Sequence, residues 1–178
     1  MKKLSVLIAA LLAALFIAGC ASTGGPSASD MLAEAKNKAP EGSLVGQGTG
    51  TAGKDTDAAA KKAEENAKFQ FRRAMSWIVK EMVDDAVTAG RLSSGVAEDF
   101  RQSINTAITR VQLTGATKAD AGIAAGNVAW AVYYMEKGDV LKAVTACVNA
   151  AKQDHPAGAF NLDGFDAKFK AAANREWK

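Results

Sequence analysis

Apolar residues recur at steps of three and four positions through one long segment, residues 56–89. This spacing places them on one face of an α-helix. The stripe consists of Ala60, Ala63, Ala67, Phe71, Ala74, Ile78 and Met82. Asp55 or Thr56 can cap the start of this helix, and Gly90 can close its end. Small side chains fill the first half of the stripe, so we expect a helix about 50 Å long whose first half packs closely against another element.

Residues 43–51 alternate with period two, which is typical of a β-strand. Gly46, Gly48 and Gly50 share one face, and the larger side chains share the other. Because glycine weakens a strand, three glycines on one face indicate that another backbone approaches closely there, and a crossing helix is the expected neighbour. A phosphate-binding loop is the alternative, but this glycine spacing differs from the dinucleotide-binding fingerprint.

Weaker patterns continue after the long helix. A second helix is expected after the turn at residues 90–95, with apolar positions at Val96, Phe100, Ile104, Ala107 and Ile108. Residues 111–115 alternate as a strand, and residues 119–126 resemble a hairpin loop. Residues 127–136 form the clearest strand of the chain, because they are rich in β-branched and aromatic side chains.

A helix over residues 138–155 completes the predicted domain, with an apolar face of Leu141, Val144, Val148 and Ala151. The elements predict an α+β fold. We expect a small three-stranded antiparallel sheet, in β-α-α-β-β-α order, packed against one long helix, with additional helices.

The chain starts with basic Lys2 and Lys3, followed by an apolar run over residues 4–18. A charged start, an apolar stretch and small residues before position 20 are typical of a secretory signal peptide. The run is too short for a membrane-spanning helix, which needs about 20 apolar residues. Residues 17–20, with the sequence Ile-Ala-Gly-Cys, resemble the bacterial lipobox at all four positions.

The lipobox resemblance implies that Cys20 carries lipid. Diacylglycerol would be joined to its thiol, the chain would be cut between Gly19 and Cys20, and the new amine would be acylated. Each buried CH₂ of an acyl chain contributes about 0.8 kcal/mol, so two or three chains would hold the protein on a bilayer. By resemblance to enteric sorting, Ala21 implies the outer membrane, on the periplasmic side by default or at the cell surface. An ordinary signal peptide with a chance cysteine, or an uncleaved anchor, are the alternatives.

Processing at Cys20 divides the chain into four predicted parts. The signal peptide covers residues 1–19, and the lipidated N-terminus with a flexible tether covers residues 20–42. The α+β domain covers residues 43–155, and a C-terminal helical extension covers residues 156–178. The extension carries aromatic residues among basic ones. It either docks on its own domain or lies on a membrane surface.

Charge and cysteine content limit the functions of the mature chain. Removing Lys2 and Lys3 leaves 20 basic residues against 19 acidic ones. These charges are interleaved along the helices, so no basic stripe for a nucleic-acid backbone is expected. Once Cys20 is lipidated, Cys147 is the remaining cysteine. We expect a small buried core residue there, with a reactive thiol or an intermolecular disulfide as alternatives.

Catalytic and metal-binding patterns are missing from the sequence. Asp84 and Asp85 point in different directions on a helix, which indicates a solvated face rather than an acid–base pair. The sole histidine, His155, lies in a turn without a partner for nucleophilic catalysis. Residues 161–166 lack the twelve-residue calcium-loop pattern. We therefore expect no enzymatic activity, no metal and no cofactor other than the covalent lipid.

The order of elements resembles the LPP20-type lipoprotein domain, which is similar to the N-terminal part of some flagellar ring proteins. The resemblance is carried by residues 45–48, 58–74, 111–116 and 130–135, and it covers residues 43–152. The family has an aromatic residue before the first strand, where this chain has residues 39–42, Ala-Pro-Glu-Gly. Membership would imply a surface-associated outer-membrane lipoprotein without an enzymatic motif.

The leading hypothesis is a non-enzymatic, membrane-anchored envelope lipoprotein that acts as a structural or protein-interaction module. Its partner would be the lipid bilayer through Cys20 and either another envelope protein or a second copy of itself. The alternative is a binding module for a small molecule or glycan that uses Trp130 and Tyr134, which share one strand face. A cell-wall hydrolase would require two carboxylates that converge in a cleft.

Overall fold

The computed structural model describes residues 25–155, 157 and 160–177, so the predicted signal peptide and Cys20 lie outside the described residues. Within these ranges the elements are α1 (Ala28–Lys36), β1 (Leu44–Gly50), α2 (Thr56–Thr88), α3 (Ser94–Arg110), β2 (Thr117–Ala124), β3 (Val128–Met135), α4 (Lys137–Asp154) and α5 (Phe165–Ala173). The strands form one antiparallel sheet in the order β1-β3-β2. The predicted fold class is confirmed, including the long helix against the sheet.

The glycine face of β1 lies directly against α2, as predicted. A Cβ atom on Gly48 would lie 2.1 Å from the carbonyl oxygen of Ala63, and the corresponding distance is 2.2 Å at the two neighbouring glycines of this face. Real Cβ atoms do not approach other atoms this closely, so only glycine allows the contact. The small residues that α2 buries here are Ala59, Ala63 and Ala67, so the stripe starts at Ala59 rather than Ala60.

The helix α2 begins and ends at the predicted signals. The Asp55 carboxylate accepts a hydrogen bond from the backbone N–H of Ala58 at 2.9 Å, which caps the first turn. Gly90 follows the last turn with a φ of +67°, a left-handed conformation that favours glycine. The first half of α2 covers the sheet, and the second half packs against α3 and α5. This second contact accounts for the part of the helix that extends past β1.

The second strand lies later in the chain than predicted. Residues 111–115 are coil and turn, and β2 occupies most of the predicted hairpin loop at 119–126. As an edge strand with mostly exposed or half-buried side chains, β2 does not need apolar residues, and backbone pairing with β3 fixes its position. A bulge between Lys118 and Asp120 further interrupts its alternation.

Part of the predicted flexible tether is a structured helix. Ser27 and Asp30 form a capping box at the start of α1. The helix covers the sheet face opposite α2, where its Ala35 lies in one cluster with Trp130 and Val132. This face of β3 is apolar, and α1 removes it from water. The folded domain therefore starts with α1 rather than at residue 43.

The C-terminal helix docks on its own domain. Phe165, Phe169 and Ala172 of α5 are buried in the main core, and Lys168 pairs with Asp85 of α2 at 2.9 Å. The structure thus favours docking over the membrane-surface alternative for this helix. Within the described ranges, no helix has both the length and the apolar character needed to cross a membrane.

The helix α3 differs slightly from its prediction. Ala97, Phe100, Ile104 and Ile108 are buried, whereas Val96 is 38 % exposed. Ala97 and Val96 precede Phe100 by three and four residues, so helical spacing allows either of them to face the core. The packing of α3 selects the smaller residue.

Candidate binding groove

The residues proposed for an aromatic ligand site are mostly covered. Trp130 is 3 % exposed beneath α1, and Tyr134 on the same strand face is half-buried. The other face of β3, with Tyr133, packs beneath α2 and is buried as well. Because α1 and α2 cover the two faces, Trp130 and Tyr134 do not form an open aromatic surface.

Eight acidic side chains form ion pairs, and both members of the Asp84-Asp85 pair are among them. Asp84 accepts hydrogen bonds from Lys80 and Arg101, each at 2.9 Å, and Asp85 pairs with Lys168. These ion pairs give both Asp84 and Asp85 a structural role, and the two carboxylates have different partners. Across the part of the chain that the structure describes, no group of three or more His, Cys, Asp or Glu side chains could hold a metal ion.

A groove of about 680 Å³ lies where α2, α3 and the C-terminal residues meet. We call it the basic–aromatic groove. Its lining from α2 consists of Phe69, Arg72, Arg73, Ser76, Trp77 and Lys80. The lining from α3 consists of Arg101, Asn105, Ile108 and Thr109, and the C-terminal residues add Arg175 and Trp177. Five cationic side chains line the groove, and none of its lining residues is acidic.

Two of the five cations are neutralised by neighbouring carboxylates outside the groove. Lys80 pairs with Asp84, and Arg101 pairs with Asp84 and with Glu98 at 3.0 Å. Arg72, Arg73 and Arg175 have no ion-pair partner among the described residues. The groove therefore carries a net positive charge, although basic and acidic residues nearly balance over the whole chain, with 22 Lys and Arg against 19 Asp and Glu.

The aromatic part of the groove joins two distant parts of the chain. Trp77 and Trp177 meet edge to face with their ring centroids 6.1 Å apart. The Arg175 guanidinium lies 5.3 Å from the Trp77 centroid and 5.2 Å from the Trp177 centroid, within cation–π range. The Trp177 indole N–H donates to the Ala172 carbonyl at 3.1 Å, which fixes the ring. Phe69 is 57 % exposed beside this cluster.

Several polar atoms of the groove side chains have unused hydrogen-bonding capacity. Arg72 Nε, Arg101 Nε and Asn105 Oδ1 are buried without a hydrogen-bond partner in the described part of the chain. Trp130 Nε1 is the one other such side-chain atom found there. Leaving a buried polar atom unpaired costs about 1–3 kcal/mol. Three of these four unpaired atoms belong to side chains that line this one groove, as expected where another molecule binds.

The arrangement suits a partner that offers carboxylates or other acceptors together with an apolar group. Arginine forks bind carboxylates through paired hydrogen bonds, and the exposed Phe69 ring offers an apolar contact. The lining residues of this groove include no carboxylate, histidine or cysteine.

The sequence contains a signal for this groove that the interleaved charges conceal. Residues 69, 72, 73, 76, 77 and 80 follow one another at steps of three and one, which places them on one side of α2. The interleaved charges along the chain therefore do not exclude a local group of cations on one side of α2, although this group is not an extended stripe for a nucleic-acid backbone. The contributions of α3 and of Trp177 follow from the tertiary fold alone.

Comparisons with protein-family models, with curated proteins and with solved structures found no match to this chain. The resemblance of the domain to LPP20-type lipoproteins therefore stays a prediction, as does lipidation of Cys20, which lies outside the described residues.

Proposed function

We propose that this chain is a non-enzymatic envelope lipoprotein, held on the outer membrane by an acylated Cys20, whose domain binds another protein. The observation that carries the interaction role is the basic–aromatic groove. It combines the exposed Phe69, arginines without acidic partners and unpaired polar atoms in one concave surface. Aromatic residues and arginine are enriched in protein–protein interfaces relative to the rest of the surface, and this groove combines both.

The anchor is tested by mass spectrometry of the protein isolated from envelopes. We expect a mature N-terminus at Cys20 that carries diacylglycerol and an N-linked acyl chain. Cys20→Ser removes the lipid, whereas Cys147→Ser, which alters the other cysteine of the chain, leaves it in place. An unmodified Cys20 in the mature protein contradicts the anchoring proposal.

The interaction role is tested by a photo-crosslinking residue placed at position 69 in intact envelopes. The matched control places the same residue at Ile123, which is 46 % exposed on the edge strand and outside the groove. We expect a defined crosslinked product from position 69 that is absent from position 123 and decreases in the Arg73→Gln variant. A product containing two copies of this chain would identify self-assembly. Equal crosslinking from both positions argues against the groove as the interaction surface.

A further inference from the structure

We infer that the basic–aromatic groove recognises an acidic segment of its partner protein, in which carboxylates stand beside a bulky apolar side chain. This inference rests on the proposed interaction function and adds the chemical class of the partner.

The positive charge of the groove favours carboxylates. Arg72, Arg73 and Arg175 form no ion pair within the described ranges. Arg72 is held by a hydrogen bond from Nη2 to the Val111 carbonyl oxygen at 3.3 Å, and its Nε has no acceptor. Arg101 likewise keeps an unpaired Nε although both of its terminal nitrogens bind carboxylates. A bound acidic segment would bring carboxylates to a groove whose guanidinium groups are already held in place by these contacts.

The aromatic part of the groove favours a peptide over a nucleic acid. Base stacking needs free ring faces, but Trp77 and Trp177 contact each other, and Arg175 lies over both rings. The three uncommitted arginines also fall short of an extended phosphate-binding surface. The apolar Phe69 ring needs an apolar partner atom, which a hydrophobic side chain of a peptide supplies.

The shape of the site favours a peptide over a membrane surface. The groove is concave and lies between two helices and the C-terminal residues, whereas a side chain that inserts into a bilayer must project from the protein. Phe165 and Phe169, the aromatic residues of α5, are buried in the core and are therefore not presented to lipid.

Binding is measured with the mature lipoprotein in a non-ionic detergent and a fluorescently labelled short peptide of alternating Glu and Leu. The matched peptide replaces every Glu with Gln. We expect saturable binding of the Glu peptide, weaker binding at higher salt, and at least about tenfold weaker binding of the Gln peptide.

Variants assign the binding to the groove. The double variant Arg73→Gln/Arg175→Gln should weaken binding of the Glu peptide roughly five- to tenfold. The control Lys54→Gln/Lys142→Gln removes the same charge at positions outside the groove, and we expect a change of less than about twofold. Equal weakening by both double variants shows non-specific charge attraction and overturns the inference.

The tryptophans give a second, local readout. The chain has three tryptophans, so Trp130→Phe leaves only Trp77 and Trp177, both in the groove. The emission of this variant should change when the Glu peptide binds. The emission of the Trp77→Phe/Trp177→Phe variant should not change, because its remaining Trp130 is buried in the cluster beneath α1 and does not line the groove. Circular dichroism confirms that each variant is folded.

Phosphatidylglycerol vesicles and single-stranded DNA complete the test. Binding of either one as tightly as the Glu peptide overturns the acidic-segment inference, and so does equal binding of the Glu and Gln peptides. A position-69 crosslink to a protein in envelopes, combined with no preference for the Glu peptide, rejects this inference and leaves the proposed function standing. Selective binding of the Glu peptide to the groove supports the inference independently of the crosslinking result.

Discussion

Gly48 has no side chain because the main chain of α2 occupies the space beside it. The nearest atoms to an added Cβ would be the Ala63 carbonyl oxygen at 2.1 Å and the Ala67 nitrogen at 2.5 Å. Backbone atoms inside a helix cannot rotate away, so a larger residue would push α2 off the sheet. Gly95, near the start of α3, has no atom within 4 Å of such a Cβ.

We expect Gly48→Ala to lower the free energy of unfolding by about 3 kcal/mol or more, since the clash is with backbone. Gly95→Ala should raise it by about 0.5–1 kcal/mol, because alanine restricts the unfolded chain and favours a helix. Urea denaturation followed by circular dichroism measures both values. A Gly48→Ala protein as stable as the original chain contradicts the close contact between β1 and α2.

Tyr133 lies beneath α2 with 4 % of its surface exposed. Burial, together with the neighbouring Glu64 carboxylate, raises the pKa of Tyr133 to about 12. The amino groups of Lys68 and Lys118 lie 5.2 and 5.7 Å from the ring centroid. The folded protein therefore keeps the phenol proton to a higher pH than the unfolded chain, whose tyrosine pKa is about 10.

This raised pKa predicts a loss of stability at alkaline pH. The contribution of the Tyr133 phenol is fully present below about pH 10 and falls as the pH rises from about 10 to 12, by on the order of 2 kcal/mol. Tyr133→Phe should remove this part of the pH dependence. The measurement is the free energy of unfolding of both proteins between about pH 10 and 12. The same dependence on pH in the two proteins would reject the prediction.

At the scale of elements, α1 acts as the cover of one sheet face. Ala35 is 1 % exposed against the cluster that contains Trp130 and Val132, whereas Ala33 on the same helix is exposed. A salt bridge of 2.5 Å between Lys38 and Asp120 joins the end of this segment to β2. The helix is therefore a structural part of the domain, although it lies in the region predicted as a tether.

A charge on the buried face of α1 should release the helix from the sheet. In a protein that retains Trp130 as its single tryptophan, Ala35→Asp should shift the fluorescence emission to longer wavelength, because water reaches the ring. Ala33→Asp places the same charge on the exposed face and should leave the emission unchanged. Equal spectra for the two variants would show that α1 does not protect Trp130.

At the scale of the whole molecule, one main core joins the inner sheet face to α2, α3, α4 and α5. Cys147 of α4 lies in this core with 3 % of its surface exposed. Burial raises the pKa of the Cys147 thiol, so the reactive thiolate form is disfavoured. The prediction of a buried core cysteine is confirmed.

We expect Cys147 to react with a thiol reagent only when the core opens. In a Cys20→Ser protein, Cys147 is the single cysteine, and its labelling at neutral pH should be at least about 10³-fold slower than in the urea-unfolded chain. Labelling rates measured at increasing urea should follow global unfolding. Fast labelling of the folded protein would favour the reactive-thiol alternative.

The candidate groove could be predicted only in part. The spacing of Phe69, Arg73, Trp77 and Lys80 is visible along the chain, because a helix sets its own faces through local geometry. Trp177 is distant from Trp77 in sequence, and only the docking of α5 brings the two rings into contact. The net charge of the groove likewise depends on which carboxylates reach Lys80 and Arg101 across the fold.

The sequence by itself determined the long helix, its caps, the glycine contact with β1 and the α+β class. The helix and the fold class follow from strong periodic patterns along the chain. The glycine contact follows from the three glycines on one face of β1, which leave room only for a closely packed backbone. Tertiary structure decided the position of β2, the docking of α1 and the assembly of the basic–aromatic groove.

β2 is held by pairing with β3 rather than by its own side chains. The burial of Trp130 depends on a helix that precedes it in the chain by more than ninety residues. Such contacts join distant segments, so no local pattern specifies them.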